Sequence, residues 1–344
     1  MKNKRKVLLI YTGGTIGMVY DKKLKTLVPI NFDQLNTYIS YLDRMPIDIA
    51  HVSFETPIDS SNILPRHWIE LAEIIEKNYN LFDGFVILHG TDTMAYTASA
   101  LSFLLENLNK PIIMTGSQLP LDMIRTDGRE NLIASLEIAS AYDNDKPIVP
   151  EVAIYFENKL FRGNRTSKFN AENFDAFYSG NYPVLAQVGV HIRYYHEYIN
   201  KPNNKQLKVY KNLDNSVGLV KIYPGMPIKN MSDILCDNDL KIIILETFGS
   251  GNAPTYDDFL QTIKTAIQND KIILNITQCK AGRVELGRYE TSLSLENIGV
   301  ISGNDITTES AITKSMFLLG NIKDKNKIKE LLQTPLRGEM SEIH

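Results

Sequence analysis

Three short segments concentrate the side chains that catalysis would need. The first, Thr12-Gly13-Gly14-Thr15-Ile16-Gly17, follows directly on the apolar run Val7–Tyr11. Its glycines permit positive φ and let the backbone approach a ligand closely. It lacks the Gly-Lys-Ser/Thr ending of a phosphate loop, and glycines at 13, 14 and 17 miss the Gly-x-Gly-x-x-Gly dinucleotide turn. What it offers is two hydroxyls, on Thr12 and Thr15, in a turn that reads equally as structure or as site. The second segment is His89-Gly90-Thr91-Asp92-Thr93, between an apolar run and a helix start. Asp92 suits a helix cap, a role worth about 1 kcal/mol, but the string is more polar than a cap requires. His89 reads first as a hydrogen-bonded structural histidine. The third segment, Arg162-Gly163-Asn164-Arg165-Thr166-Ser167-Lys168, ends in a lysine that spacing alone assigns to solvent.

The elements around these segments explain why they would converge. Val7–Tyr11, Phe85–Leu88, Ile112–Thr115, Val152–Phe156, Val217–Tyr223, Ile242–Glu246 and Ile272–Ile276 are short, β-branched and unalternating. Strands covered on both faces of a parallel sheet have that composition. Between them run amphipathic helices, one with Met94, Ala98, Leu101, Leu105 and Leu108 at spacings of four and three, another following Pro65 with Trp68, Leu71, Ala72 and Ile75. The fold class is α/β. Ligands of open α/β sheets collect beyond the carboxyl ends of the strands, where all three segments lie. A polar stretch over residues 196–216 reads as a linker, leaving a larger N-terminal domain over 1–195 and a smaller C-terminal one over 217–344. Both domains are expected to hold mostly parallel sheets.

The chain has 344 residues, 43% hydrophobic and 22% charged, with a net charge of -3. That balance gives no basic field for nucleic acid; the run Lys2 to Lys6 reads as a solvated tail. No stretch approaches the roughly 20 apolar residues of a membrane span, and Val7–Tyr11 is too short for a signal-peptide core. Two cysteines, Cys236 and Cys279, make neither a disulfide framework nor a metal-ligand spacing. A cytoplasmic, metal-free protein is expected.

Taken together, the segments resemble the bacterial-type L-asparaginase family. Leu8-Leu-Ile-Tyr-Thr-Gly-Gly-Thr15-Ile-Gly is similar to its first signature and Gly84-Phe-Val-Ile-Leu-His-Gly-Thr91-Asp92-Thr-Met94 to its second. Asp59-Ser60-Ser61, Thr115-Gly116-Ser117-Gln118, Gly163-Asn-Arg-Thr-Ser-Lys168, Gly249-Ser-Gly-Asn252-Ala-Pro and Thr277-Gln278-Cys279 continue the likeness from near Val7 to past Arg337. It is closest in pattern to the cytoplasmic type I branch. The resemblance implies an asparaginase/glutaminase-like fold and hydrolysis of L-asparagine to L-aspartate and ammonia, without metal or cofactor. Thr15 is then the nucleophile that forms an aspartyl ester. Thr91 and Lys168 are the pair that activates water, since crowding can lower a lysine's pKa enough for base catalysis. Asp92 meets the substrate's α-ammonium, Asp59, Ser60 and Ser61 its α-carboxylate, and Ser117 the leaving amine. Backbone N–H groups at Thr91 and in the Gly13–Thr15 turn serve as oxyanion donors. Glutamine, one methylene longer, stays open as a substrate. A homodimer or homotetramer is implied, with no nucleic-acid or membrane partner. The competing readings are an ammonia-producing amidotransferase subunit and a non-catalytic asparagine-binding regulator.

Two departures stand out. The lid tyrosine implied by the family falls on Leu27, which leaves Tyr20 as the candidate for that hydroxyl. The resemblance also sets Ser167, Thr277 and Cys279 near an allosteric asparagine site whose arginine aligns with Glu246. A carboxylate there repels the effector's own carboxylate, so asparagine activation is expected to be weak or absent. Cys279 then reads as a small apolar core residue.

Overall fold

The computed structural model describes residues 4–30, 32–287 and 290–342. Apolar β-branched runs form its sheets, and the chain divides between Lys211 and Asn212 into two compact units. The first unit is built on an eight-stranded sheet. Its strands run in the order Ile192–Tyr194, Ala186–Val188, Lys159–Arg162, Val152–Phe156, Ile112–Thr115, Gly84–Leu88, Arg5–Gly13 and Ile47–Ile58. Neighbours are parallel from Val152–Phe156 to Ile47–Ile58 and antiparallel beyond Val152–Phe156 on the other side. Every residue of Gly84–Leu88, Ile112–Thr115 and Val152–Phe156 is buried, which is why these strands carry no alternation. Helix Met94–Leu104 is apolar nearly all round and buried to match, whereas Pro65–Asn78 buries one stripe, Trp68, Leu71, Ala72 and Ile75 with His67 beside it.

The second unit holds a smaller, all-parallel sheet in the order Val217–Lys221, Ile242–Thr247, Ile272–Thr277 and Ile301–Ser302. Helices Ile228–Leu235 and Asp257–Gln268 lay Met231, Leu235, Phe259 and Ile263 against Leu245 and Ile273. Inside this unit Lys314 and Glu339 form an ion pair at 2.6 Å with neither side chain exposed at all. Among the described residues no helix is long and apolar enough to cross a membrane.

The α/β class and the mostly parallel sheets agree with the sequence reading; two expected elements end differently. The helix expected to run through Leu108 stops at Leu104, and Leu105–Glu106 pairs antiparallel with Lys208–Val209. Asn107, at φ 61, turns the chain away from helical geometry there. The stretch 196–216 is therefore not structure-free, because Lys208–Val209 is a strand of the first unit's fabric. The strand expected over Val217–Tyr223 ends at Lys221, two residues before the turn around Pro224.

Candidate functional site

Loops that leave the carboxyl ends of the parallel strands supply most of the site, while Lys168 and Ala171 follow Lys159–Arg162, a strand that runs antiparallel to its neighbours. Gly14 follows Arg5–Gly13 at φ 85, and a β-carbon on it would lie 2.3 Å from the Gly90 nitrogen. A β-carbon on Gly90 would in turn meet the Ser60 hydroxyl at 2.4 Å. The first two loops thus lie backbone against backbone and the third sets the Ser60 side chain against Gly90, contacts that only glycine allows. Just beyond, the hairpin of Met18–Asp21 and Thr26–Pro29 springs from the first loop. The buried Tyr11 hydroxyl lies 3.0 Å from the carbonyl oxygens of both Gly17 and Ile30, which share its one proton at the two ends of that hairpin.

Thr15, Asp59, Ser60, Thr91, Asp92 and Lys168 line one polar cavity of about 180 Å³, with Gly14, Met18, Gly90, Gln118 and Ala171 completing its wall. Of the two hydroxyls in the first turn, Thr12 is buried and donates to the Leu88 carbonyl at 2.9 Å. Thr15 borders the cavity, and its hydroxyl makes no hydrogen bond among the described residues. Opposite stands a continuous polar chain. The Lys168 ammonium lies 2.6 Å from Asp92 Oδ1 and donates to the Thr91 hydroxyl at 2.8 Å. Thr91 passes its own proton to Gln118 Oε1 at 3.3 Å. The Gln118 amide nitrogen then holds the carbonyls of Asn173 and Ala171 at 3.0 and 3.3 Å. Lys168 is 16% exposed and Asp92 63%, so the carboxylate keeps open faces for a second cation. Lys168 and Thr91 are 77 residues apart in sequence, and only the fold makes them neighbours.

Asp59 accepts the Ser61 hydroxyl at 2.7 Å and its backbone N–H at 2.9 Å, contacts that hold the Asp59 carboxyl below its ordinary range. Ser61 is thereby exposed and engaged, while the buried Ser60 lies on the cavity. Ser117 differs from expectation. Its hydroxyl turns inward to the Leu119 carbonyl at 2.6 Å, and the next residue, Gln118, faces the cavity instead. Tyr20 is 53% exposed on the hairpin, directly across the strand pair from Leu27.

The four residues linked to an allosteric site do not form one cluster within a unit. Ser167 pairs with Tyr178 in the first unit. In the second, Glu246 accepts the Thr308 hydroxyl at 2.6 Å and faces the Lys221 ammonium at 3.5 Å. Thr277 donates to the Gly249 carbonyl at 2.6 Å and accepts the Cys279 N–H at 3.0 Å. Cys279 is exposed, not a core residue, because it lies in the turn past the end of its strand. Among the described residues no group of three or more metal-ligating side chains gathers anywhere.

The chain matches two family models, "Asparaginase, N-terminal" over residues 6–200 and "Glutaminase/Asparaginase C-terminal domain" over residues 216–332. It belongs to the asparaginase family. It is 40% identical to L-asparaginase 1 of Escherichia coli (strain K12), over 98% of both chains. A 60 kDa lysophospholipase of Mus musculus is 38% identical over 99% of this chain and 63% of that protein. The crystal structure of L-asparaginase I from Vibrio cholerae superposes with a TM-score of 0.89 at 38% identity, covering 98% of this chain and all of that one. The asparaginase signatures and the cavity coincide, since both are made by the loops after Arg5–Gly13 and Gly84–Leu88.

Proposed function

We propose that the protein hydrolyses L-asparagine to L-aspartate and ammonia through an aspartyl ester on Thr15. The observation that carries this reading is the Thr15 hydroxyl, without a hydrogen bond among the described residues, sharing a small polar cavity with the Thr91–Lys168–Asp92 chain. An amide is a poor electrophile, and a threonine hydroxyl is a weak nucleophile until a base relieves it of its proton. Asp92 receives the α-ammonium of the substrate on its open faces, while Ser60 and the backbone around Asp59 receive the α-carboxylate. Thr15 Oγ1 attacks the side-chain carbonyl, and the oxyanion is met by backbone N–H groups at Thr91 and in the Gly13–Thr15 turn. Collapse expels ammonia, the leaving nitrogen taking up the proton given up by the Thr15 hydroxyl. Water, activated by the Thr91–Lys168 pair, then cleaves the ester and frees L-aspartate and the Thr15 hydroxyl.

Tyr20 is the residue we assign to the lid. Cross-strand partners in a hairpin share a face, so a hydroxyl at position 20 lies beside the place Leu27 occupies. Glu246 already has Lys221 and Thr308 as partners, and this supports an enzyme without asparagine activation. We also assign the protein to the cytoplasm and to a homodimeric or homotetrameric assembly, by kinship with its relatives. The test is ammonia release from asparagine and glutamine by the native protein, Thr15→Ala and Thr91→Ala. Turnover of asparagine with losses of three or more orders of magnitude in both variants is the expected result. Binding of asparagine without ammonia release by the native protein would refute it.

A further inference from the structure

His89 is wholly buried one residue before the cavity wall begins, and its two ring nitrogens face different partners. Nδ1 lies 2.7 Å from the Gly90 carbonyl oxygen, and Nε2 lies 2.9 Å from the Thr97 hydroxyl. A carbonyl can only accept, so Nδ1 carries the proton and Nε2 is the acceptor. Thr97 must then donate to Nε2, which leaves its oxygen to accept from Trp68 Nε1 at 3.0 Å. The indole can only donate, so the chain Trp68 to Thr97 to His89 to the Gly90 carbonyl has one consistent direction. Trp68 and Thr97 are themselves buried, on two different helices.

The far end of this chain is a peptide plane. In a trans peptide the C=O and N–H vectors are antiparallel. Drawing the Gly90 carbonyl inward toward the imidazole turns the Thr91 N–H the opposite way, where Gly90 and Thr91 border the cavity. Among the described residues that N–H has no hydrogen-bond acceptor. We propose that His89 is a positioning residue for catalysis: through the Gly90 carbonyl it aims the Thr91 N–H at the oxyanion formed in the cavity. The inference rests on the asparaginase reading of the site and extends it to a side chain that never meets substrate. Burial with no counter-charge holds the imidazole pKa down to about 4, which keeps the ring neutral with its single N–H fixed.

The test is steady-state hydrolysis of asparagine by the native protein, His89→Asn, His89→Leu, Thr97→Val and Thr97→Ser, with calorimetric binding of L-aspartate to each. An asparagine amide nitrogen can occupy the position of Nδ1, so His89→Asn is expected to stay within about tenfold of native kcat. His89→Leu is expected to lose about 10²–10³ in kcat, the scale of one oxyanion donor, with KM and L-aspartate affinity within about threefold of native. A purely structural histidine would lose folded protein or affinity without this split, and would not distinguish Asn from Leu. Where His89→Leu fails to fold, Thr97→Val decides. It is expected to lose about tenfold in kcat at native L-aspartate affinity, with Thr97→Ser restored. Native kcat in His89→Leu or Thr97→Val, equal losses in His89→Asn and His89→Leu, or a loss confined to KM overturns the proposal. A native protein silent on asparagine brings down the underlying reading as well. An active native protein with undiminished variants brings down the proposal alone.

Discussion

Two lysine–carboxylate pairs, each closed at 2.6 Å, do opposite things in the two units. Lys314 and Glu339 are sealed from solvent. Lys314 also donates to the carbonyls of Thr334 and Leu332, and Glu339 accepts the backbone N–H groups of Leu336 and Arg337. Both charges are saturated, so the pair fastens helix Thr308–Asn321 to the chain's last described turn. Lys168 and Asp92 share the same separation, yet Asp92 is largely exposed, and the other partner of Lys168 is a hydroxyl beside a cavity. A saturated pair has nothing left to give a ligand. An open one can exchange partners, which is what binding and proton transfer require.

This contrast can be broken or sharpened by substitution. The largest effect is expected at the open pair: Lys168→Met should cost three or more orders of magnitude in asparagine turnover. Its urea midpoint should shift little, since partly exposed pairs contribute about 1 kcal/mol or less. Lys314→Met should do the reverse. Leaving Glu339 as an unpaired buried charge should destabilise the second unit by about 3–5 kcal/mol in urea titrations, with native turnover per folded molecule. Adding Glu339→Leu should recover most of that loss, and a double variant no better than the single one would deny the pair its closed character.

A third buried ionisable group tests the first unit by pH. His89 has a folded pKa of about 4 against an ordinary value of 6.5. Above pH 6.5 both states are neutral and the full stability is present. As pH falls from about 6.5 toward 4 the unfolded chain alone gains a proton, and the first unit should lose up to about 3 kcal/mol. Equilibrium unfolding across that window should lose its slope in His89→Asn. The smallest effect is expected at Gln118. Gln118→Leu removes the neutral hydrogen bond from Thr91, worth about 1 kcal/mol, along with the amide bonds to Ala171 and Asn173, and should lower kcat about five- to tenfold while Gln118→Asn recovers part of it.

Much of this was legible in the sequence because burial on both faces leaves a plain record. The runs at Val7–Tyr11, Phe85–Leu88 and Val152–Phe156 are apolar without alternation, and all three lie inside central strands. The edge strand Ile47–Ile58 was not legible, since most of its side chains meet water or a single neighbour and its pattern is mixed. Thr15 and Thr91 could be picked out by their glycine-rich turns. Lys168 could not be picked out by spacing, because its partners come from a loop 77 residues earlier. Gln118 was passed over for its neighbour Ser117, whose shorter hydroxyl satisfied itself on its own backbone.

The glycine contacts beneath the cavity bear on redesign. Gly14 and Gly90 face each other so closely that even an alanine at position 14 would put its methyl 2.3 Å from a backbone nitrogen. The floor of the site therefore admits no gradual remodelling: any side chain added there parts the loops that carry Thr15 and Thr91. A change of substrate size has to come from the walls, at the hairpin that bears Tyr20 and the segment that Gln118 holds at Ala171 and Asn173. Libraries aimed at longer amides belong on those two walls, with the floor left as it is.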